Sequence, residues 1–270
     1  MKIGVTGCNG RLGKALVEYG CIPLNCDVRS VSQILHELHR VNPDVIIHCA
    51  AITDVDKSET EYFSLARWVN ETGTSNLRQV YEGRIIYIST DYVFDGVSGP
   101  YNENDTPSPI GNYGYSKWRG ERVIISYNNP SDTIVRTTIL YGGDKQDFVT
   151  ALLSELKTKD IVRVTPKLCG NPTYIYHLVE ALLKLCNENI APRIVNIAGL
   201  DVINRYEFAK KIAQVWGYSD TKIIPDENIE VGYYRPLKAG LITSFASKLG
   251  LPIYTVDAGL EEYYHRMMQC

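Results

Sequence analysis

No stretch of this 270-residue chain is apolar for long enough to span a membrane, and no run of lysine or arginine interrupts its spread of charge. The first absence argues against a membrane partner and the second against a local patch for nucleic acid or anionic lipid. The formal net charge of -3 supplies no global attraction to either. No charged, cleavable leader precedes the first apolar segment, so a cytoplasmic location is the expectation. No Cys-x-x-Cys pair occurs, and the seven cysteines (Cys8, Cys21, Cys26, Cys49, Cys169, Cys186 and Cys270) are odd in number, which argues against a disulfide framework or a zinc site. Cys49 closes an apolar run and reads as core, while Cys8 stands where a small side chain suffices. His36-Glu37-Leu38-His39 spaces its histidines three apart instead of four and has no third ligand in view, so it reads as a helix surface. Clustered carboxylates are also lacking, and no metal is expected. Repeats and low-complexity segments are missing as well.

What is present is a chain 44% hydrophobic and 22% charged, able to bury a full core. Apolar runs at Lys2 to Thr6, Asp44 to Cys49, Arg84 to Ser89 and Thr133 to Arg136 alternate with helical stretches at Arg11 to Gly20, Val31 to Val41, Tyr62 to Tyr81 and Tyr113 to Tyr127. That alternation predicts an α/β protein with a parallel sheet wrapped on both faces, and the lack of a polar side in the runs fits strands buried on both faces. After Arg136 the pattern loosens: strands are expected at Ile161 to Thr165 and Arg193 to Ala198, helices at Thr173 to Cys186 and Arg205 to Trp216.

The first run leads straight into Gly7-Cys8-Asn9-Gly10-Arg11-Leu12-Gly13, with glycines three residues apart. A strand-to-helix turn of this kind needs glycine for the tight reversal, for close approach of a phosphate to the backbone, and for packing of the new helix on the sheet. The helix start then faces the pyrophosphate of a dinucleotide. Ala50-Ala51 and Ser89-Thr90-Asp91 also fall at strand ends, where ligands of doubly wound sheets bind. The expected architecture is therefore a Rossmann-type doubly wound parallel sheet with a smaller C-terminal substrate-binding region. Residues 1–140, completed by parts of 173–216, form the NAD(P)-binding part, and residues 141–270 mainly the substrate side.

Tyr113 and Lys117 lie four apart on a predicted helix and so share one face. An ammonium there can lower a phenol's pKa, and moving it from about 10 to about 7 takes roughly 4 kcal/mol of differential stabilisation. Such a phenol can protonate a carbonyl oxygen.

Together with Asp44-Val45-Ile46-Ile47-His48-Cys49-Ala50-Ala51-Ile52-Thr53-Asp54-Val55-Asp56-Lys57-Ser58-Glu59, Val69-Asn70, Ser89 to Gly96, Tyr141-Gly142, Gly170-Asn171-Pro172-Thr173 and Arg235-Pro236, these residues resemble the dTDP-4-dehydrorhamnose reductase family of extended short-chain dehydrogenases/reductases. The resemblance runs over nearly the whole chain. It implies reduction of the C4 ketone of a nucleotide-linked 6-deoxy-4-hexulose by NADPH or NADH. It also implies that Tyr113 donates the proton, that Thr90 hydrogen-bonds the same oxygen, and that Lys117 tunes Tyr113 and holds the nicotinamide ribose. Gly7, Gly10, Arg11, Leu12, Gly13, Asp27, Val28, Ala50, Ala51, Ile52 and Thr53 would line the cofactor. Asp91, Tyr92, Ile139 and Arg235 would join Thr90 and Tyr113 on the substrate.

Several residues depart from the family's pattern. Ile139 stands where a tryptophan commonly meets the sugar, Asp147-Phe148 replaces Asn-Phe, and Pro166-Lys167 replaces Asp-Gln. The segment Gly20 to Asp27 leaves little second strand in which to find the group that meets the adenosine ribose. Arg11 either favours NADPH or is an exposed helix-start residue, Asn70 either bonds backbone or meets the cofactor, and Thr90 can cap a turn. A reductase or epimerase of a UDP- or GDP-linked ketosugar, or a non-catalytic NADP-binding subunit like that of methionine adenosyltransferase, are the alternatives. Assembly as a homodimer stays open.

Overall fold

Ile46 and Ile47 are both fully buried, yet they join different cores. Ile46 packs with Leu24, Ile34, Leu77 and Ile124, whereas Ile47 packs with Leu16, Leu178 and Phe208. The same split separates Ile85 and Tyr87 from Ile86, and Ile134 from Val135. Successive side chains of a pleated strand point to opposite faces, so a sheet covered on both sides needs apolar residues at every position.

The computed structural model describes residues 1–187, 191–219, 222–232 and 234–269; Cys270 lies outside them. Along the chain come β1 (Ile3–Thr6), α1 (Arg11–Glu18), β2 (Ile22–Pro23), α2 (Val31–Val41), β3 (Val45–His48), α3 (Val55–Ser58), α4 (Phe63–Arg67), α5 (Thr74–Val80), β4 (Arg84–Thr90), α6 (Asn112–Ser126) and β5 (Thr133–Thr137). Then follow β6 (Leu140–Tyr141), α7 (Phe148–Thr158), β7 (Val162–Val164), β8 (Cys169–Gly170), β9 (Thr173–Tyr174), α8 (Ile175–Asn187), β10 (Ile194–Asn196), β11 (Ile203–Asn204), α9 (Arg205–Val215), β12 (Ile223–Pro225), α10 (Ser244–Lys248) and α11 (Val256–Met268). The main sheet is parallel throughout, in the order β10-β5-β4-β3-β1-β2. The chain runs outward from β1 to β2 and then crosses to β3 on the other side of β1. This reversal opens a crevice beyond the carboxyl ends of β1 and β3. The second half of the chain contributes β10 to the sheet and α8 against α1.

Two elements differ from the sequence expectation, and the strand expected at Ile161 to Thr165 forms. The helix expected over Tyr62 to Tyr81 is interrupted by a π-helical turn at Trp68–Gly73. There the buried Asn70 turns inward, its Nδ2 donating to Ile52 O at 3.0 Å and to Ser116 Oγ at 2.8 Å, while Thr74 Oγ1 donates to Asn70 O at 2.7 Å. Widened turns of this kind place a side chain that a regular helix would rotate away. The segment Ile161 to Thr165 supplies β7, which pairs with β12 outside the main sheet. Thr173 and Tyr174 form β9, paired with β6, before α8 begins. No described helix is long and apolar enough to cross a membrane.

His36 and His39 are exposed on α2, and Glu37 turns inward to accept from Asn25 N at 2.8 Å. Among the described residues, no three His, Cys, Asp or Glu side chains converge as a metal site. Cys49 corrects its expected core placement, being half-buried at the end of β3 on the wall of a cleft.

Candidate active site

At the end of β1 the chain reverses at Gly7, whose φ of +66° is disfavoured for residues with a Cβ. A Cβ there would also stand 2.6 Å from Ala50 Cα, and one on Gly13 would stand 2.2 Å from Gly7 O. The first glycine thus lets the loops after β1 and β3 close on each other, and the last lets α1 settle on its own loop. Gly10 differs: its Cβ would meet only Gly7 O, at 3.1 Å, and its open side lines the cleft. No side chain caps α1, so its first backbone N–H groups remain available to an anion. This loop fits the pyrophosphate of a dinucleotide.

Arg11 is not the exposed helix-start residue of one of its two expectations. Its guanidinium reaches the following region, donating from Nη1 to Gly142 O and Lys145 O at 3.1 Å and to Asp147 Oδ2 at 3.2 Å, and from Nη2 to Gln146 O at 2.7 Å. It fastens the 142–147 loop over the start of α1 and is half-buried. Asn70 follows the backbone-bonding alternative: Ile52 N donates to its Oδ1 at 2.8 Å and its Nδ2 returns a bond to Ile52 O, which shapes the loop after β3.

The opposite wall is set by the packing of α6 on β4 and β5. Glu121 receives Ser89 Oγ at 2.6 Å, Arg136 Nε at 2.9 Å and Arg136 Nη2 at 2.8 Å, all buried. A buried ion pair with its hydrogen bonds satisfied holds one register of the helix against the strands. That register puts Tyr113 and Lys117, one turn apart and both buried, beside Thr90 at the end of β4. The rings of Tyr92 and Tyr113 meet edge to face, with centroids 5.5 Å apart.

The electrostatics reverse the expectation drawn from the spacing. Burial pushes the Tyr113 phenol above its ordinary value; a hydrogen bond with Thr90 acts against this, and Asp91 and Tyr92 add to it. Burial brings Lys117 itself down to about 7, with Glu121 and Cys49 opposing, and its Nζ lies over the Tyr87 ring at 4.2 Å. A desolvated ammonium of lowered basicity is a weak source of phenolate stabilisation. The phenol therefore holds its proton, as a donor must.

Thr90 meets the turn-capping reading. Its Oγ1 accepts from Tyr92 N at 3.2 Å, capping the 3-10 turn Asp91–Val93, and it also stands against the Tyr113 phenol. It donates to Asp91 Oδ1 at 3.0 Å, and Thr138 Oγ1 donates to Asp91 Oδ2 at 2.5 Å. Burial raises Asp91 to about 6 despite these two bonds.

A single cleft of about 540 Å³ gathers Gly7, Gly10, Arg11, Leu12, Gly13, Ala51 and Thr53 at one end with Thr90, Asp91, Tyr92, Tyr113, Lys117 and Ile139 at the other. Asp27, Val28, Ala50, Ile52 and Arg235 lie outside its lining. Val28 is buried where a Cβ on Gly73 would come within 2.5 Å of it, and Asp27 pairs with Arg29. Arg235 stands behind Tyr92, its Nη1 3.5 Å from the Tyr92 hydroxyl and its Nη2 2.7 Å from both oxygens of Asp56. Ile139 holds φ +45°, a strained value for a β-branched residue, and a Cβ on Gly170 would come within 2.7 Å of its Cδ1. Pro166 and Lys167 do not reach the lining.

Sequence reasoning missed Thr138, Lys145 and Arg205, which all line the cleft. Only Arg205, at the start of an expected helix, carried any local signal.

A family model described as "RmlD substrate binding domain" matches residues 1–269. The chain is 31% identical to a dTDP-4-dehydrorhamnose reductase of Mycolicibacterium smegmatis over 83% of its own length and 72% of that protein's. It is 32% identical to the spore coat polysaccharide biosynthesis protein SpsK of Bacillus subtilis, over 90% of this chain and 89% of that one. Among solved structures, the dTDP-4-dehydrorhamnose reductase of Bacillus anthracis in complex with NADP superimposes with a TM-score of 0.90 at 31% identity, covering 98% of this chain and 100% of that one.

Proposed function

Since the chain belongs to the dTDP-4-dehydrorhamnose reductase family, we propose that it reduces the C4 ketone of a nucleotide-linked 6-deoxy-4-hexulose with NADPH, converting dTDP-4-dehydro-L-rhamnose to dTDP-L-rhamnose. The observation that carries this reading is the convergence of Thr90, Tyr113 and Lys117 in one cleft with the glycine loop.

NADPH, when bound, supplies the hydride that reaches C4. Gly7, Gly10 and the uncapped start of α1 would hold its pyrophosphate, and Lys117 would face its nicotinamide ribose. Tyr113 gives its proton to the ketone oxygen as negative charge develops there, acting as a general acid. Its raised pKa keeps the proton in place until that charge appears. Thr90 stands beside the phenol, where its hydroxyl, turned from Asp91 toward the substrate, would hydrogen-bond the same ketone oxygen. Ile139 presents an aliphatic surface to the sugar in place of an aromatic face. In this reading residues 1–140 with β10 and α8 serve the cofactor, and the remainder of 141–270 serves the nucleotide sugar.

The test is NADPH and NADH oxidation with enzymatically generated dTDP-4-keto-6-deoxyhexose, with and without a 3,5-epimerase, and then with the UDP analogue. Epimerase-dependent oxidation of NADPH with the dTDP sugar is the expected result. Cofactor binding without oxidation on any of these sugars would replace the reading with that of a cofactor-binding subunit.

A further inference from the structure

Arg205, the first residue of α9, lines the substrate end of the cleft near Asp91 and Tyr92, and no ion pair among the described residues takes up its guanidinium. Its Nη1 is sealed from solvent without a hydrogen-bond partner. The guanidinium carbon lies over the Phe148 ring, 4.7 Å from its centroid. The carboxylates that might have served are taken: Asp91 by the hydroxyls of Thr90 and Thr138, and Asp56 by Arg235. Burial works against the charged form of Arg205, and Arg235 adds to that, while Tyr92 and Asp91 oppose it. A guanidinium N–H sealed from water without an acceptor is costly, and a guanidinium presents a planar fork matched to phosphate.

The backbone of α9 does not offer a second anion site. Asn204 and Glu207 close its first turn with a reciprocal capping box, so the side chain alone carries positive charge into the cleft. The other end of the cleft, at Gly10 and the start of α1, is suited to the cofactor's phosphates. Arg205 lies with Asp91, Tyr92 and Ile139 instead. In a pyranose, C4 and the anomeric carbon lie across the ring. A sugar with its ketone at Tyr113 therefore carries its diphosphate one ring further along the cleft.

We propose that Arg205 is the anchor for the diphosphate of the substrate, a guanidinium–phosphate contact that sets KM and rejects sugars lacking a nucleoside diphosphate. The inference rests on the nucleotide-sugar reading above. It makes Arg205 a binding residue that touches substrate away from the reacting carbon, so its removal weakens KM more than kcat.

The experiment is calorimetric titration of the NADPH-loaded protein with dTDP, UDP and inorganic pyrophosphate, in the wild type, Arg205→Gln and Arg205→Lys, beside steady-state kinetics on the dTDP ketosugar. Loss of a charge-assisted contact should weaken dTDP binding and raise KM by about tenfold to a hundredfold in Arg205→Gln. Affinity for NADPH should stay unchanged, which also reports an intact fold. Arg205→Lys should recover part of the loss, as a point charge without the fork. Reduction of the dTDP sugar with unchanged KM and dTDP affinity in Arg205→Gln would overturn the inference and leave the reductase reading standing. Arg205-dependent binding of the diphosphates with no turnover of any ketosugar would instead uphold the anchor and remove the reductase reading.

Discussion

Arg11 Nη1 donates to Asp147 Oδ2 at 3.2 Å, and Gly142 N donates to the same oxygen at 2.6 Å. The other carboxylate oxygen accepts from Thr150 N at 2.9 Å, completing a capping box at the start of α7. One carboxylate, almost wholly buried, thus joins the glycine loop, the turn after β6 and a helix of the C-terminal half. Asparagine, the residue more usual in the family at this place, can cap the helix but cannot answer a guanidinium.

Asp147→Asn should therefore destabilise the protein by about 1–2 kcal/mol, a figure suited to a charged hydrogen bond whose cation is partly solvated. Urea unfolding would show it as a lower midpoint at constant slope. An unchanged midpoint would mean that the Arg11 clamp adds nothing to stability.

Tyr113→Phe removes the proton donor while keeping the ring against Tyr92. Turnover should fall by about 10²- to 10⁴-fold, with NADPH affinity retained, because the cofactor contacts lie elsewhere in the cleft. Single-turnover rates at saturating substrate separate the two effects. Near-normal turnover would require a different acid.

Arg29 follows β2, where a base near a dinucleotide's adenosine ribose can meet a 2'-phosphate. It pairs with Asp27 at 2.5 Å and stacks over Trp68 at 5.0 Å, which holds the Asp27 carboxyl below its usual range. Arg29→Ala should lower the preference for NADPH over NADH by about tenfold. The ratio of kcat/KM for the two cofactors decides the matter, and an unaltered ratio would place the ribose end away from this pair.

His48 lies buried between Thr6 Oγ1, 2.6 Å from Nδ1, and Thr74 Oγ1, 3.1 Å from Nε2. Burial, aided by the charge of Lys117, brings its pKa down to about 3. The unfolded chain protonates this imidazole near about 6.5, so between the two values the unfolded state binds more protons. Stability from this group is present above about 6.5 and falls as the pH drops toward about 3, by up to about 1.4 kcal/mol per pH unit. Asp91, raised to about 6 in the folded protein, works in the opposite sense between its ordinary value and about 6. Comparing wild type with His48→Asn at neutrality and at about pH 5 isolates the histidine, since Asp91 is common to both. The wild type should lose more stability on acidification, and equal losses would contradict a neutral buried imidazole.

What could be read from the sequence follows from local geometry. A strand buried on both faces must be apolar at every residue, which made β1, β3, β4 and β5 visible as runs. Gly7, Gly10 and Gly13 recur at the spacing of a strand turning into a helix, and Tyr113 and Lys117 at the spacing of one helical turn; the structure brings both pairs of signals to one cleft. Backbone geometry alone imposes those intervals. The fold decided which distant atoms fill the space around each charged or polar group. It sent Arg11 to Asp147 instead of to solvent, gave Asn70 to the Ile52 backbone, left Arg205 Nη1 without a hydrogen-bond partner, and surrounded Tyr113 so closely that desolvation raises its pKa. Partner choice and burial depend on contacts between residues far apart in the chain, and no local spacing records them.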